Sequence, residues 1–309
     1  MSDYDIAVVG GGIAGLSAGL TAARLGRRTL ILTGDILGGQ LLSIAKVDGY
    51  PGFPDGVPGY DLCPMAQEMA VAAGAEIAPT ELARLAPAND GFRVATEAGE
   101  AHAARGVIMA TGARLNSLGV PGEAELTGKG VSHCATCDGP LLRGRVAAVV
   151  GGGDSAAQEA LTLAEYDARV VMLVRAGELS AQAIYRDKIL AEPRIELRCN
   201  TVVAEICGAD KVTGLRVRDA GGAASEIEAA AVFVYVGLSP NSAVLQGLAA
   251  LDASGAVMVD SMMRSPRQGL AAAGAVRSQW PGRAVASAGD GATAALAIDR
   301  FLRDGTWHE

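Results

Sequence analysis

The sequence predicts an α/β protein in two halves, each a buried parallel sheet wound with helices, and three observations carry that reading. A strand–glycine turn–helix–strand unit occurs twice, glycine is in excess, and the length suits two domains better than one. Asp5-Ile6-Ala7-Val8-Val9 runs into Gly10-Gly11-Gly12-Ile13-Ala14-Gly15, and Val146-Ala147-Ala148-Val149-Val150 runs into Gly151-Gly152-Gly153-Asp154-Ser155-Ala156. Glycine supplies 41 of the 309 residues and aromatics only 4%, a mix that suits tight turns and close backbone approaches. Half the residues are apolar and 19% are charged, which excludes a disordered or fibrous chain.

The elements follow in order. Each first run is continuously apolar, as a parallel strand buried on both faces must be. Each glycine turn leads into an alanine-rich pattern of helical period, over 16–25 and 157–166. Each helix is followed by a second buried strand, Arg28-Thr29-Leu30-Ile31-Leu32 and Val170-Val171-Met172-Leu173-Val174, which completes two β-α-β units of Rossmann-like type. Between the copies, Val107-Ile108-Met109-Ala110-Thr111-Gly112 reads as a strand ending in a glycine turn, and Pro121-Gly122 reads as a hinge. Val232-Phe233-Val234-Tyr235-Val236-Gly237 closes the second half, and residues 256–309 return to complete the first. The uncharged stretch 229–251 is long enough to span a bilayer, but Ser239-Pro240-Asn241-Ser242 interrupts it, so it reads as strand, loop and helix.

A single glycine motif is weak evidence, but strand, glycines, helix and strand in order, twice, point to dinucleotide binding. Glycines let the backbone approach a pyrophosphate, which sits on the positive end of the following helix. The net charge of −8, with no block of like charges, speaks against nucleic acid and acidic membranes as partners. The start, Met1-Ser2-Asp3-Tyr4-Asp5, is acidic where a secretory signal is basic, and the expectation is a cytoplasmic protein.

Five cysteines are too few and too scattered for a disulfide framework, yet two of them form His133-Cys134-Ala135-Thr136-Cys137-Asp138-Gly139. Two thiols at this spacing open and close a small disulfide ring. A half zinc site is the alternative, but no second Cys-x-x-Cys and no histidine pair completes it, the histidines being 102, 133 and 308. Cys63, Cys199 and Cys207 read as small packing residues.

Cys134-Ala135-Thr136-Cys137-Asp138-Gly139, set between two glycine-rich turns, resembles the low-molecular-weight thioredoxin reductase family of FAD-dependent pyridine nucleotide-disulfide oxidoreductases. Gly38-Gly39-Gln40-Leu41, Ala110-Thr111-Gly112, Gly151 to Ala156 and Ser287-Ala288-Gly289 fall where that family has matching elements, so the resemblance covers essentially the whole chain. It implies two Rossmann-like domains of three-layer ββα type, the second inserted in the first. An FAD domain would span 1–114 and 245–309, and a nucleotide domain of 115–244 would carry the cysteines. FAD contacts are implied for Gly10, Gly12, Ala14, Gly15, Thr33, Gly39, Gln40, Thr111, Gly112, Gly274, Ala275, Arg283, Ala284 and Val285, and NAD(P)H contacts for Gly151, Gly153, Ser155 and Arg175. Cys137 would face the flavin, Cys134 would attack the substrate, and Asp138 would be general acid and base. His133, beside a reactive thiol, is a further candidate for proton relay. A homodimer acting on a thioredoxin-like protein or a small dithiol or disulfide is expected.

Three departures concern cofactors. Where the family holds the 2′-phosphate of NADPH with a His-Arg-Arg-x-x-x-Arg stretch, this chain reads Val174-Arg175-Ala176-Gly177-Glu178-Leu179-Ser180, so only Arg175 survives and weak use of either nicotinamide is expected. The aspartate on the ribityl chain is replaced by Ala275, and the Arg-Gln pair before the last helix reads Arg283-Ala284, so weaker FAD retention is expected. These departures keep three rivals in view: a dithiol oxidase using oxygen, a ferredoxin-dependent reductase, and a nucleotide-binding descendant without activity.

Overall fold

The computed structural model describes residues 3–308. The chain forms two compact units: the first reaches Arg114 and resumes at Ser239, and the second is Leu115–Leu238. The first opens with β1 (Tyr4–Val9), α1 (Ile13–Arg24) and β2 (Thr29–Leu32), followed by α2 (Gly59–Ala72) and β3 (Glu76–Ala78). A hairpin of β4 (Leu82–Ala88) and β5 (Gly91–Thr96) then precedes the long strand β6 (Ala101–Met109). After β7 (Ala113–Leu115) the second unit contributes β8 (Val131–Ser132), α3 (Ala135–Asp138), β9 (Val146–Val150), α4 (Asp154–Glu165), β10 (Arg169–Leu173), α5 (Ala183–Ala191) and β11 (Ile195–Arg198). A meander of β12 (Thr201–Gly208), β13 (Val212–Asp219) and β14 (Ala224–Glu228) leads to β15 (Ala231–Val234). The chain returns through β16 (Leu238–Pro240) to β17 (Leu270–Ala272) and ends in α6 (Ala284–Asp304).

Each unit is built on a five-stranded parallel sheet, ordered β3-β2-β1-β6-β17 in the first and β11-β10-β9-β15-β8 in the second. A parallel sheet must be covered on both faces, and the period-two alternation of the strands shows how. In β1, Ile6 and Val8 face a core shared with α1 and α6, while Ala7 and Val9 face Leu85, Phe92 and Val94 of the antiparallel hairpin. In β9, Ala147 and Val149 pack with α4 and α5, while Ala148 and Val150 pack on Ile206, Leu215 and Ile227 of the meander. Helix layer, parallel sheet and antiparallel ribbon make the three-layer ββα arrangement in both units.

Several sequence expectations shift. The helices begin at Ile13 and Asp154, directly after the glycine turns, rather than three residues later. β6 begins at Ala101 because its first half pairs antiparallel with β5 and only its second half pairs with β17. The segment expected as a helix before 251 is only a short 3-10 turn, Ala243–Leu245, because Pro240 and Gly247 bracket too few residues for more. Pro121-Gly122, expected as a hinge, lies inside the second unit, where the Pro121 carbonyl accepts from the Ile206 N–H at 2.9 Å and Gly122 lies against the Ile206 carbonyl where no Cβ fits. The return to the first unit falls at Ser239 rather than 245. Among the described residues, no helix is long and apolar enough to cross a membrane.

Where α6 crosses α1, Gly291 rests on the Ala14 carbonyl at a distance that excludes a Cβ, whereas the exposed Gly289 has open space around it. Gly291→Ala is therefore expected to destabilise the protein by about 1–3 kcal/mol, and Gly289→Ala to stabilise it by up to about 1 kcal/mol. Opposite shifts of the thermal midpoint would show it. Cys63 on α2 is fully buried among Ile13, Leu16 and Leu62, and burial pushes its thiol up to about 11. Its alkylation by a maleimide at pH 8 should be at least a hundredfold slower than that of a free peptide thiol, rising as pH approaches 11. Rapid labelling of Cys63 in the folded protein would contradict this packing.

Candidate functional site

In the first unit, β1 is followed directly by Gly10, whose φ of +124° and contact with the Ala110 carbonyl admit no side chain. Gly15, one turn into α1, is pressed in turn against the Gly10 carbonyl. Both glycines are explained by the protein's own packing. Gly12 is different: a Cβ there would meet nothing within 4 Å, and it caps α1 without any side-chain hydrogen bond. Gly39, with φ of +55°, stands 3.8 Å from the Gly12 Cα by the same measure. An open glycine at an uncapped, positively polarised helix start is a cradle that fits a dinucleotide pyrophosphate.

The other implied FAD residues surround this turn. Thr33 is buried at the tip of β2 beside Gly11. Gln40 donates through its side-chain amide to the Ala113 carbonyl. Thr111 donates to the Asn241 carbonyl at 2.7 Å, and the Asn241 amide nitrogens bond back to the carbonyls of Thr111 and Gly112, both at 3.0 Å. Gly274 lies against Ala14 in the first turn of α1, and Ala275 directly after it is half-buried. Arg283 is the N-cap of α6, Ala284 packs near Ile13, and Val285 is exposed. The sequence reading overlooked Asp290, a buried acid on α6 that accepts from the Gly274 N–H at 3.1 Å and from Arg277 through both oxygens at 2.7 and 2.9 Å. The Gly274–Ala275 segment is held without the aspartate that the family places there.

The second unit repeats the turn. Gly151 has φ of +140° and abuts the Tyr235 carbonyl, as Gly10 abuts Ala110. Gly153 is open save for Ser180 Oγ at 3.9 Å. Ser155 is exposed in the first turn of α4, and Arg175 is exposed just beyond β10. Ser180, at a position where the family carries an arginine, folds onto the turn and bonds the Gly152 carbonyl through N–H and hydroxyl, at 2.9 and 3.1 Å.

The redox segment lies in this unit. Cys134 and Cys137 form a disulfide with Cα atoms 5.3 Å apart, and the Cys134 sulfur accepts the Cys137 N–H at 3.2 Å as the cap of α3. Cys137 is exposed and Cys134 half-buried. Asp138 is half-buried at the end of α3, its N–H bonded to the Cys134 carbonyl at 3.2 Å. His133 Nδ1 lies 2.9 Å from the Val234 carbonyl, an acceptor, so Nδ1 carries the hydrogen. Beneath the pair is a second residue the sequence reading overlooked: Glu159 of α4 accepts from the Ala135 N–H at 2.7 Å and the Tyr235 hydroxyl at 3.0 Å. Burial pushes the Glu159 carboxyl up, and these two donors oppose the shift. Burial, with the charges of Glu159 and Asp138, pushes the Tyr235 hydroxyl up as well, so Tyr235 remains a donor. The signal was present: Glu159 falls on the same helical face as the buried Ala156, Ala160 and Leu163.

Comparison with known proteins agrees with this geometry. Residues 4–291 match the family described as pyridine nucleotide-disulphide oxidoreductase. The thioredoxin reductase of Treponema pallidum is 37% identical over 302 residues, covering 97% of this chain and 98% of that one. The crystal structure of Lactococcus lactis thioredoxin reductase superposes with a TM-score of 0.94 at 32% identity, covering 97% of this chain and 99% of the other. That of T. acidophilum thioredoxin reductase gives 0.93 at 34%, covering 98% and 99%. The chain belongs to the pyridine nucleotide-disulphide oxidoreductase family, as an FAD-dependent thiol–disulfide oxidoreductase of thioredoxin reductase type.

Proposed function

We propose that the Cys134–Cys137 disulfide of the second unit is the redox centre through which this enzyme exchanges electrons with a thioredoxin-like protein. The observation that carries the reading is the closed Cys134–Cys137 disulfide itself, with Asp138 directly after it. Bound FAD supplies the two-electron store for the pair, and Gly12, Gly39 and the Gly274–Ala275 segment are the residues that would hold it. In the reduced pair, the Cys134 thiolate attacks one sulfur of the substrate disulfide and expels the other as a thiolate. Cys137 then attacks Cys134 in the mixed disulfide, which releases the substrate dithiol and re-forms the Cys134–Cys137 bond. Asp138 takes the proton from the attacking thiol and returns one to the leaving thiolate. His133, its Nδ1 hydrogen committed to Val234, is assigned proton relay through Nε2. Exposed Leu141, shortly after Cys137, offers apolar surface to a protein substrate.

The reading includes a cytoplasmic homodimer, and the acidic charge balance speaks against nucleic acid and acidic membrane surfaces as partners. A dithiol oxidase, a ferredoxin-dependent reductase and a non-catalytic descendant are not favoured, since the relatives from Treponema pallidum, Listeria monocytogenes and Streptomyces clavuligerus are thioredoxin reductases matched over nearly their whole length.

Cys137→Ser is expected to abolish flavin reduction by a dithiol, read anaerobically from the flavin absorbance, while leaving the flavin bound. Asp138→Asn should slow the exchange about a hundredfold at neutral pH, the usual contribution of a general acid. An unchanged rate in Cys137→Ser would overturn the assignment of the pair.

NADPH is expected to reduce the flavin slowly and with little advantage over NADH, because Ala176 and Ser180 stand where the family has cations and Arg175 alone remains. Each missing charge-assisted bond is worth roughly 1.5–3 kcal/mol. Stopped-flow reduction decides it: fast, saturable reduction by micromolar NADPH would contradict the weak site, whereas peroxide release from a dithiol in air, without reduction by either nucleotide, would indicate the oxidase.

A further inference from the structure

We infer that Glu159 is a positioning residue of the redox pair, which tethers the backbone between the two cysteines and thereby favours the disulfide over the dithiol. The inference rests on the assignment of Cys134–Cys137 as the redox centre. Glu159 is 7% exposed, and among the described residues no lysine or arginine pairs with it. A buried carboxylate without a cation is costly to keep, so stability alone gives no reason for it.

Its geometry gives one. One carboxylate oxygen receives both the Ala135 N–H and the Tyr235 hydroxyl. Ala135 is the residue directly after Cys134 and the first of α3. Glu159 belongs to α4, and Tyr235 directly follows β15 in the parallel sheet, so both are fixed by the core of the unit. The ring segment is thus tied to the rigid floor beneath it by a bond that does not involve sulfur.

When the disulfide is reduced, the covalent link between the sulfurs is lost, and only the backbone keeps the two thiols close. A tether on Ala135 limits how far Cys134 moves away from Cys137. It raises the effective concentration of one thiol at the other and shifts the equilibrium toward the closed ring. A glutamine retains an oxygen that accepts both hydrogen bonds, whereas an alanine retains nothing.

The test equilibrates the purified flavoprotein anaerobically with mixtures of reduced and oxidised glutathione. In this reaction the disulfide and two glutathione thiols give the dithiol and one glutathione disulfide, with electrons and protons balanced. After acid quenching and alkylation, mass spectrometry of the peptide carrying both cysteines reads the ratio. Glu159→Ala should move the equilibrium about tenfold toward the dithiol, as expected for the loss of a hydrogen bond, which is about 30 mV for two electrons. Glu159→Gln should stay within about threefold of the parent, a rescue that a charge effect would not produce. Tyr235→Phe, which keeps the ring and removes one donor, should shift the same way by a smaller factor, and it serves as the test if Glu159→Ala fails to fold. No shift in Glu159→Ala or Tyr235→Phe, or a full shift in Glu159→Gln, overturns the inference. A parent disulfide that even excess dithiothreitol leaves closed would instead overturn the assignment of the redox centre.

Discussion

The contact on which the architecture depends is a backbone carbonyl pressed against a glycine at the end of a parallel strand. In the first unit the carbonyl belongs to Ala110, directly after β6, and the glycine is Gly10, directly after β1. In the second the carbonyl belongs to Tyr235, directly after β15, and the glycine is Gly151, directly after β9. Neither position has room for a Cβ, and both glycines hold a φ that L side chains rarely adopt. The approach lets the chain turn at once from strand into helix and leaves Gly12 and Gly153, two residues on, open at the helix start. The mouth of each nucleotide turn is therefore a by-product of how two neighbouring strands end.

Buried or half-buried acids hold these mouths in shape. Asp290 fixes the Gly274 amide and the Arg277 guanidinium behind the first turn. Asp154 receives the backbone and side-chain amides of Gln182 at 2.7 and 2.8 Å beside the second. Glu159 fixes Ala135 under the cysteines. In each case a carboxylate is used as a clamp on the backbone of a segment distant along the chain.

The sequence made the repeated units legible because a buried parallel strand, a glycine turn and an alanine-rich helix each leave a local pattern. The cysteine pair was legible for the same reason. What escaped were partners set far apart along the chain: Glu159 with Ala135 and Tyr235, and Asp290 with Gly274 and Arg277. No local period encodes such pairings, although an acid on an apolar helical face marks one member. The β4–β5 hairpin and the β12–β14 meander were missed too, since their strands are half-exposed and lack the continuous apolar runs of the parallel strands. Pro121-Gly122 was legible only as a turn, and its packing on Ile206 is a contact between residues far apart along the chain that no local pattern encodes.

The chain leaves the first unit through β7 and re-enters it through β16, and these two short strands pair with each other as a ribbon of their own. The Asn116 N–H bonds the Gly237 carbonyl at 3.0 Å beside that ribbon. The inserted unit thus starts and finishes at neighbouring points, like a closed loop hung from a clasp. For the host sheet, such an insertion amounts to one long excursion between paired ends, and the entropy of closing a loop grows only slowly with its length. The fold is modular in consequence: the insert behaves as a cassette, and recombination that exchanges everything between the two clasp strands leaves the host's strand order and its nucleotide turn untouched.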